Sequence, residues 1–209
     1  MRARRTEATA AVPSRVMRAD PRVYEALDLR AHSLLAGVPL HDVWVEDLPG
    51  GTPGRTLLDV RALLDAEGVS RTNPVVRFLF GLRRAIGSAF GWDDSAPSGV
   101  SQASYLAKLS VEERAASLIA PGTREGPFTV LSVTEREAIS EAINATVHAF
   151  SVFALVEEAS GYRFFWAIYV QPVSWITPWY MRAIDPFRRF IVYPAVLRSL
   201  RRGWADPIE

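Results

Sequence analysis

The chain has 209 residues, of which 49% are hydrophobic and 22% are charged, and this balance excludes an intrinsically disordered protein. The formal net charge is only +1, which gives no overall attraction to nucleic acid, so we expect no nucleic-acid partner. The absence of cysteine excludes disulfide and thiolate chemistry, fits a reducing compartment and predicts a cytoplasmic location.

The N-terminal part of the chain divides into a tail, a strand and a pair of helices. We expect residues 1–20 to form a flexible tail that ends at a turn signal, and residues 21–209 to form a single domain. The stretch "VPLHDVWVEDL" alternates in part and carries Val and Trp, which predicts a strand over residues 38–48. The segments after it are predicted as a turn, two helices and a loop, over residues 50–54, 55–68, 73–92 and 93–99.

In the later part of the chain, the sequence pattern changes to one that is typical of β-strands. Three runs, at 128–136, 138–158 and 161–173, are rich in β-branched and aromatic residues and are parted by short turn signals, which predicts an antiparallel meander. The middle run is so long that we expect a bulge or a bend in it. Residues 104–110 are predicted to add a further strand, and "VEERAAS" after them a short helical turn.

The last predicted element is an amphipathic helix over residues 185–204, "DPFRRFIVYPAVLRSLRRGW". Asp185 suits the N-cap and Pro186 the first helical position. Apolar residues recur at steps of three or four along one face, and most of the arginines fall off that face. Pro194 removes one backbone hydrogen bond and is predicted to kink the helix about one turn upstream.

Residues 164–181 carry no charge and approach the length of a membrane span. Pro172 and Pro178 interrupt the stretch, and two prolines would break a lone spanning helix. We therefore predict a buried strand, a turn and the approach to the last helix here, and no transmembrane segment.

This order of elements predicts an α+β fold of the helix-grip type. A meander buries one of its faces only when another element covers it, and the apolar face of the last helix supplies that cover. In a helix-grip fold, a curved antiparallel sheet wraps around a long C-terminal helix, here with a helix pair after the first strand. We interpret the last helix as the lid and wall of a cavity.

Several stretches of the sequence resemble a known family. "EAINATVHAF", "FFWAIYVQP", "YMRAIDPFRRFIVYPAVLRSLRRGW" and the paired helices ending "AFGWD" are similar to an uncharacterised bacterial domain-of-unknown-function family grouped with the START and Bet v 1-like (SRPBCC) superfamily. The resemblance covers roughly residues 30–204. It implies a helix-grip fold, usually of seven strands where the sequence places about five, and an apolar cavity for lipid-like or aromatic small molecules. It carries over no catalytic residues.

The longest predicted strand contains the most specific candidate site. Asn144, Thr146 and His148 share one face of that strand, whereas Glu141 lies on the other face unless a bulge intervenes. Polar side chains on a covered sheet face need partners, which are either each other or a ligand. The candidate ligand-binding residues are Asn144, Thr146, His148, Trp166, Arg188 and Tyr193.

We expect no cofactor and no metal ion. The loop "GGTPGRT" follows a strand and precedes a helix, but it is one residue short of a phosphate-binding loop and has arginine in place of the lysine. His32, His41 and His148 show no close ligand spacing, and no cysteine accompanies them. The pair His41-Asp42 meets His148 only if the register of the sheet brings them together.

Our leading hypothesis is a non-enzymatic domain that binds an apolar or aromatic, lipid-like small molecule between the sheet and the last helix. The alternative is a small-molecule enzyme of the cyclase or hydrolase type that uses His148 with Thr146 or Glu141, although no catalytic signature supports it specifically. A third hypothesis is a partner or membrane-interface protein with peripheral membrane contact, which predicts a large exposed apolar patch on the last helix.

Overall fold

The structure, a computed structural model, describes residues 17–66, 103–144, 147–173, 175 and 177–205. The tail up to residue 16, the helix predicted over 73–92 and the loop over 93–99 lie outside the described residues. The described chain is α+β, with seven strands where the sequence placed about five. The strands are β1 (Met17–Arg18), β2 (Leu40–Pro49), β3 (Arg124–Glu125), β4 (Phe128–Val133), β5 (Glu137–Ile143), β6 (Val147–Glu158) and β7 (Gly161–Pro172).

The strands form one sheet in the order β1-β2-β7-β6-β5-β4-β3, and every neighbouring pair is antiparallel. From β3 to β7 the strands follow one another as the meander that the sequence predicts. β2 instead joins the sheet beside β7, so two strands far apart in sequence become neighbours. Met17 and Arg18, at the end of the segment predicted as a tail, pair with Val45 and Trp44 of β2.

The helical elements are α1 (Pro21–Glu25), α2 (Arg30–Leu34), α3 (Leu57–Ala66), a 3₁₀ turn (Tyr105–Lys108), α4 (Val111–Ala116), α5 (Thr177–Phe187) and α6 (Tyr193–Ala205). α3 confirms the first helix of the predicted pair, and α4 confirms the short helical turn, which begins with a capping box formed by Ser110 and Glu113. The strand predicted over 104–110 is wrong, because the Ser104 side chain accepts a hydrogen bond from the N–H of Leu106 and caps the 3₁₀ turn.

The single long strand predicted over 138–158 is also wrong, because the chain reverses between β5 and β6. The Asn144 side chain accepts a hydrogen bond from the N–H of Val147 (3.0 Å), and the Asn144 N–H donates to the Val147 carbonyl (3.1 Å). Ile143 therefore pairs with His148 across the hairpin. Asn144 makes this turn without the glycine or proline that marks most tight turns.

A π-helical turn (Arg188–Val192) joins α5 to α6, and these three segments together are called the C-terminal helix. The sequence predicts a kink about one turn upstream of Pro194, and the structure has this π-helical turn at that place. Pro194 lacks an N–H and its ring crowds the preceding turn, which disfavours regular α-helical hydrogen bonding there. The helix start predicted at Asp185 is wrong. The helix begins at Thr177, with Pro186 inside α5, and the Asp185 carboxylate binds the side chains of His41 and Arg188 instead of capping the backbone.

Helices cover both faces of the sheet. The C-terminal helix and α3 pack on one face, called here the C-terminal face, where Phe164, Leu197 and Trp204 are buried in one hydrophobic cluster. On the opposite, N-terminal face, α1, α2 and the 3₁₀ turn form a second cluster that includes Tyr24 and Phe150. Successive residues of each strand point to opposite faces, so one strand contributes side chains to both clusters alternately.

A long helix lying on one face of an antiparallel sheet is consistent with the predicted helix-grip arrangement. Within the described ranges, no helix combines the length and the apolar character needed to cross a bilayer, in agreement with the expectation of no transmembrane segment.

Candidate functional site

A β-bulge in β2 sends two consecutive side chains toward the C-terminal helix. Leu40 pairs with Tyr169 and Asp42 with the adjacent Ile168, so His41 is an extra residue on β2. A bulge interrupts the alternation of a strand and re-aims its side chains. His41 Nε2 lies 2.9 Å from Asp185 Oδ1, and Asp42 Oδ1 accepts a hydrogen bond from the Tyr193 hydroxyl at 3.1 Å.

Arg188, in the π-helical turn, joins the two carboxylates of this site. Its Nη1 donates to Asp185 Oδ1 (3.0 Å), and its Nη2 donates to Asp42 Oδ1 (3.3 Å) and to the Tyr193 hydroxyl oxygen. The Asp42 side chain is fully buried. Burial raises the pKa of Tyr193 far above its ordinary value; Arg188 opposes this rise and Asp42 adds to it, so the hydroxyl stays a neutral donor to Asp42.

The same cluster has the ligand types of a metal site. Ligand atoms of His41, Asp42 and Asp185 lie within 4.8 Å of one another. The guanidinium of Arg188 bridges both carboxylates, however, and Arg189 Nη2 lies 3.3 Å from Asp185 Oδ2. A divalent cation would have to displace Arg188, so in this structure an arginine supplies the positive charge between the two carboxylates.

A second acid of β2, four residues after Asp42, also faces the C-terminal helix. Asp42, Trp44 and Glu46 occupy alternate positions of β2 on the C-terminal face and are called here the acid seam. Glu46 Oε1 lies 3.2 Å from Arg201 Nη1, and its side chain is 1% exposed. Burial raises the pKa of Glu46, and Arg201 offsets only part of that rise.

The interface between β2 and the C-terminal helix concentrates unpaired polar atoms. Six buried side-chain atoms lack a hydrogen-bond partner within the described part of the chain, and five of them belong to β2 or to the C-terminal helix. Such exceptions are rare in native proteins, and each costs about 1–3 kcal/mol. The five atoms are Asp42 Oδ2, Trp44 Nε1, Glu46 Oε2, Arg189 Nε and Trp204 Nε1.

Aromatic rings border the acid seam. Trp44 stacks on Tyr193 with a centroid separation of 4.7 Å, and the edge of Trp166 meets Tyr193 at 4.8 Å. The Trp166 N–H donates to the Ser151 hydroxyl (3.0 Å), so this indole is satisfied while that of Trp44 is not. Phe153 packs edge-on against Trp166 and extends the aromatic surface along β6.

His148 belongs to a different network on the N-terminal face. Its Nε2 lies 2.9 Å from Glu141 Oε2, and both side chains are 2% exposed. Glu141 also accepts hydrogen bonds from the Ser104 hydroxyl and the Tyr105 N–H, which tie down the start of the 3₁₀ turn. Burial tends to raise the pKa of Glu141, but the bonds from His148, Ser104 and Tyr105 outweigh it and lower the pKa.

The structure thus divides the six candidate residues between two places. Trp166, Arg188 and Tyr193 meet on the C-terminal face, as contact between sheet and last helix requires. His148 lies on the opposite face, because the hairpin turn brings it to the same side as Glu141 and Phe150. Asn144 forms the turn itself, and Thr146 lies outside the described residues.

Sequence reasoning missed the acid seam and its arginines. Asp42 and Glu46 alternate with apolar residues in "DVWVE", a pattern that is also typical of a solvent-exposed strand face. The acid seam could have been predicted from charge complementarity, because two acids lie on one face of the strand and the otherwise apolar last helix carries arginines. His41-Asp42 meets Asp185 rather than His148, which the sequence left open.

No curated protein and no solved structure matches the chain. A family model, DUF2867, described as a protein of unknown function, matches residues 34–195. The matched range contains the whole bulge in β2, the acid seam, Arg188 and Tyr193, and ends before Arg201. Because the match covers more than half of the chain, this protein is a member of the DUF2867 family.

Proposed function

We propose that this chain binds a small molecule with an aromatic or apolar body and a neutral or cationic hydrogen-bonding head, held between β2 and the C-terminal helix. The observation that carries the proposal is the concentration of unpaired buried polar atoms at this one interface. Buried polar groups without partners are destabilising, and a bound molecule that supplies the missing hydrogen bonds would remove this cost.

The chemistry of the unpaired atoms limits the ligand. Asp42 Oδ2 and Glu46 Oε2 accept hydrogen bonds, and Trp44 Nε1 donates one. A hydroxyl, amide or amino group satisfies such a set, whereas a carboxylate or phosphate meets repulsion from Asp42. Alternate residues of a strand lie about 7 Å apart, so one small head group bridges two members of the acid seam. The rings of Trp44, Trp166 and Tyr193 offer the apolar surface for the rest of the ligand.

Ligand entry requires the C-terminal helix to move. Each unpaired atom is buried, so no ligand reaches it while the helix rests on β2. The unpaired atoms lower the stability of this closed form, which favours opening. The π-helical turn beside Pro194 is the irregular part of the helix, where a bend needs the fewest hydrogen bonds to be broken.

The proposal also places the fold with the helix-grip proteins of the START and Bet v 1-like superfamily, in a bacterial and cytoplasmic protein. Support comes from the sheet order from β2 to β3, in which the first long strand lies beside the last, and from the helix that follows β7. The enzyme hypothesis, with His148 and Glu141, finds less support. Both side chains are buried, and both Glu141 oxygens already accept hydrogen bonds.

Native and denaturing mass spectrometry of protein purified gently from a bacterial host tests the proposal. We expect an extra mass that survives native conditions and disappears on denaturation. The released compound should carry an aromatic or apolar body with a hydroxyl, amide or amino group. A clean apo mass, followed by no shift on titration with aromatic amines, alcohols and amides, contradicts the proposal.

A matched pair of substitutions on β2 locates the site. Asp42→Asn replaces one carboxylate oxygen of the acid seam with an NH₂ group and should weaken binding about tenfold or more. Asp47→Asn makes the same change on the same strand at an exposed position, where Asp47 pairs with Arg163, and should leave binding unchanged. Equal losses in both variants, or in neither, place the ligand elsewhere.

A further inference from the structure

Four aromatic side chains stand out from the protein surface just before and along the C-terminal helix. Trp175 is 81% exposed, Trp179 65%, Phe187 44% and Phe190 79%. They are called here the aromatic stripe. The intervals from Trp179 to Phe190 place these three residues on the outer side of the helix, because eight and eleven residues correspond to about two and three turns.

The opposite side of the same helix segment is apolar as well. Met181 is buried on the C-terminal face, and Ile184 packs against that cluster. A helix that is apolar on both sides is normally covered on both sides. Among the residues that the structure describes, the sheet covers the inner side only, while Pro178, Ala183 and Pro186 extend the exposed apolar surface between the aromatic residues. The outer side therefore has the composition of a surface that contacts a second apolar environment.

The charges around the aromatic stripe are positive. The C-terminal helix contains six arginines and a single acidic residue, Asp185, whose carboxylate already binds His41, Arg188 and Arg189. Arg182 lies exposed within the stripe, and Arg198 and Arg202 are exposed further along the helix. Arg188 and Arg201 bind the buried acids Asp42 and Glu46 of β2, so the exposed positive charge of this helix comes from Arg182, Arg198 and Arg202.

From these observations we propose that the aromatic stripe docks on the surface of an anionic lipid bilayer, with the C-terminal helix lying in the plane of the interface. Tryptophan side chains favour the membrane–water boundary, and arginines on the flanks attract anionic head groups. The stripe stands out from one stretch of the surface, residues 175–190, in which Asp185 is the single acidic residue. A fluid bilayer fits such a surface without a complementary pocket. The proposal does not depend on ligand binding, because the acid seam lies on the inner side of the helix.

Vesicle flotation with the full chain tests this proposal. We expect the protein to float with vesicles of phosphatidylcholine mixed with phosphatidylglycerol, and less with vesicles of phosphatidylcholine alone. Added salt should weaken binding, since it screens the attraction of the arginines to the anionic lipid. The tryptophan emission should shift to shorter wavelength on binding, and Trp179→Phe should reduce this shift.

A double variant identifies the surface. Trp179→Ser with Phe190→Ser should reduce binding to the mixed vesicles at least about tenfold, because two apolar side chains no longer enter the bilayer. Val111→Ser with Leu118→Ser removes two exposed apolar side chains from another part of the surface, 77% and 50% exposed, and should leave binding unchanged. Circular dichroism before and after each change checks that the helix stays folded.

Two results would overturn the proposal. One is the absence of flotation with both kinds of vesicle. The other is concentration-dependent self-association of the wild type, abolished by the double variant, together with vesicle binding that the double variant leaves intact. That second result would assign the aromatic stripe to contact between copies of this chain.

Discussion

The two faces of the sheet bury their carboxylates in opposite ways. On the N-terminal face, Glu141 accepts hydrogen bonds on both oxygens, and Glu137 likewise accepts the N–H groups of Ala31 (2.8 Å) and Arg30 (2.9 Å) at the start of α2. On the C-terminal face, Asp42 and Glu46 each bind an arginine with one oxygen and leave the other oxygen unpaired.

Under the proposed function, this difference separates carboxylates with a structural role from carboxylates that bind the ligand. A fully paired carboxylate ties an element to the sheet, and on the N-terminal face β5 anchors both α2 and the 3₁₀ turn in this way. A carboxylate with only one paired oxygen can still accept a hydrogen bond from another molecule on its second oxygen. We therefore expect substitutions on the N-terminal face to affect mainly stability, and substitutions in the acid seam to affect mainly ligand binding.

The largest expected effect is on the N-terminal face. Glu141→Gln leaves the donors of His148, Ser104 and Tyr105 with too few acceptors and should lower the free energy of unfolding by about 3 kcal/mol. Urea denaturation measures this loss. Glu157→Gln alters an exposed ion pair with Arg136 and should change stability by less than about 1 kcal/mol. If the two variants are equally stable, the network around Glu141 does not hold the N-terminal face together.

An intermediate effect is expected where the C-terminal face is best paired. Arg188→Lys keeps the charge, but a lysine ammonium cannot bridge Asp42 and Asp185 with the planar geometry of a guanidinium. We expect a loss of about 1–2 kcal/mol in the free energy of unfolding, again by urea denaturation. Arg202→Lys is the control, because Arg202 is exposed on the same helix. A loss below that of the control would show that Arg188 does not secure the helix to β2.

The smallest effect at neutral pH is expected at Glu46. Glu46→Gln removes a charge that burial disfavours while keeping an oxygen for Arg201, so the free energy of unfolding should change by less than about 1 kcal/mol. A loss as large as that of Glu141→Gln would mean that the two faces bury their acids equivalently, and would remove the comparison on which the proposed function rests.

The pH dependence of stability sharpens the same comparison. Glu46 has a raised pKa in the folded protein, so its contribution to stability falls as the pH rises from the ordinary value of 4.5 through the raised pKa. Glu141 has a lowered pKa, so its contribution is present above 4.5 and is lost as the pH falls through the lowered value. Stability curves of the two Gln variants, each subtracted from the wild type, should therefore slope in opposite directions.

Much of the fold follows from local patterns. Hydrophobic period and turn signals were enough to predict the meander, α3, the short helix α4 and the long last helix. Pro194 marks the place where the regular helix is interrupted, although the interruption is a π-helical turn and the sequence predicts a kink. These features depend on residues that are close together in the chain, where propensity and period act directly.

The errors have two origins, which are local side-chain hydrogen bonds, as at Asn144 and Ser104, and contacts between distant residues. The turn at Asn144 carries no glycine, and the bulge at His41 has no local signal because it depends on how β2 meets β7. Asp185-Pro186 has the sequence of a helix start, but contacts with His41 and Arg188 place it inside a helix. Helices cover both faces of the sheet, so a buried candidate residue can lie on either face. The sequence did not show which face each residue occupies, and the candidate site was therefore predicted only in part.

The pairing of β2 with β7 has a consequence for folding. The hairpins of the meander close short loops. β2, in contrast, pairs with β7, so this pairing must wait until most of the chain has been synthesised and must close the long loop between the two strands. A partly folded chain that contains only the meander already has β5 and β6 and can form the pair of Glu141 with His148. It lacks the acid seam, because Asp42 and Glu46 arrive with β2. Under the proposed function, only the completed domain binds the ligand, so binding would distinguish mature protein from folding intermediates with native-like strands.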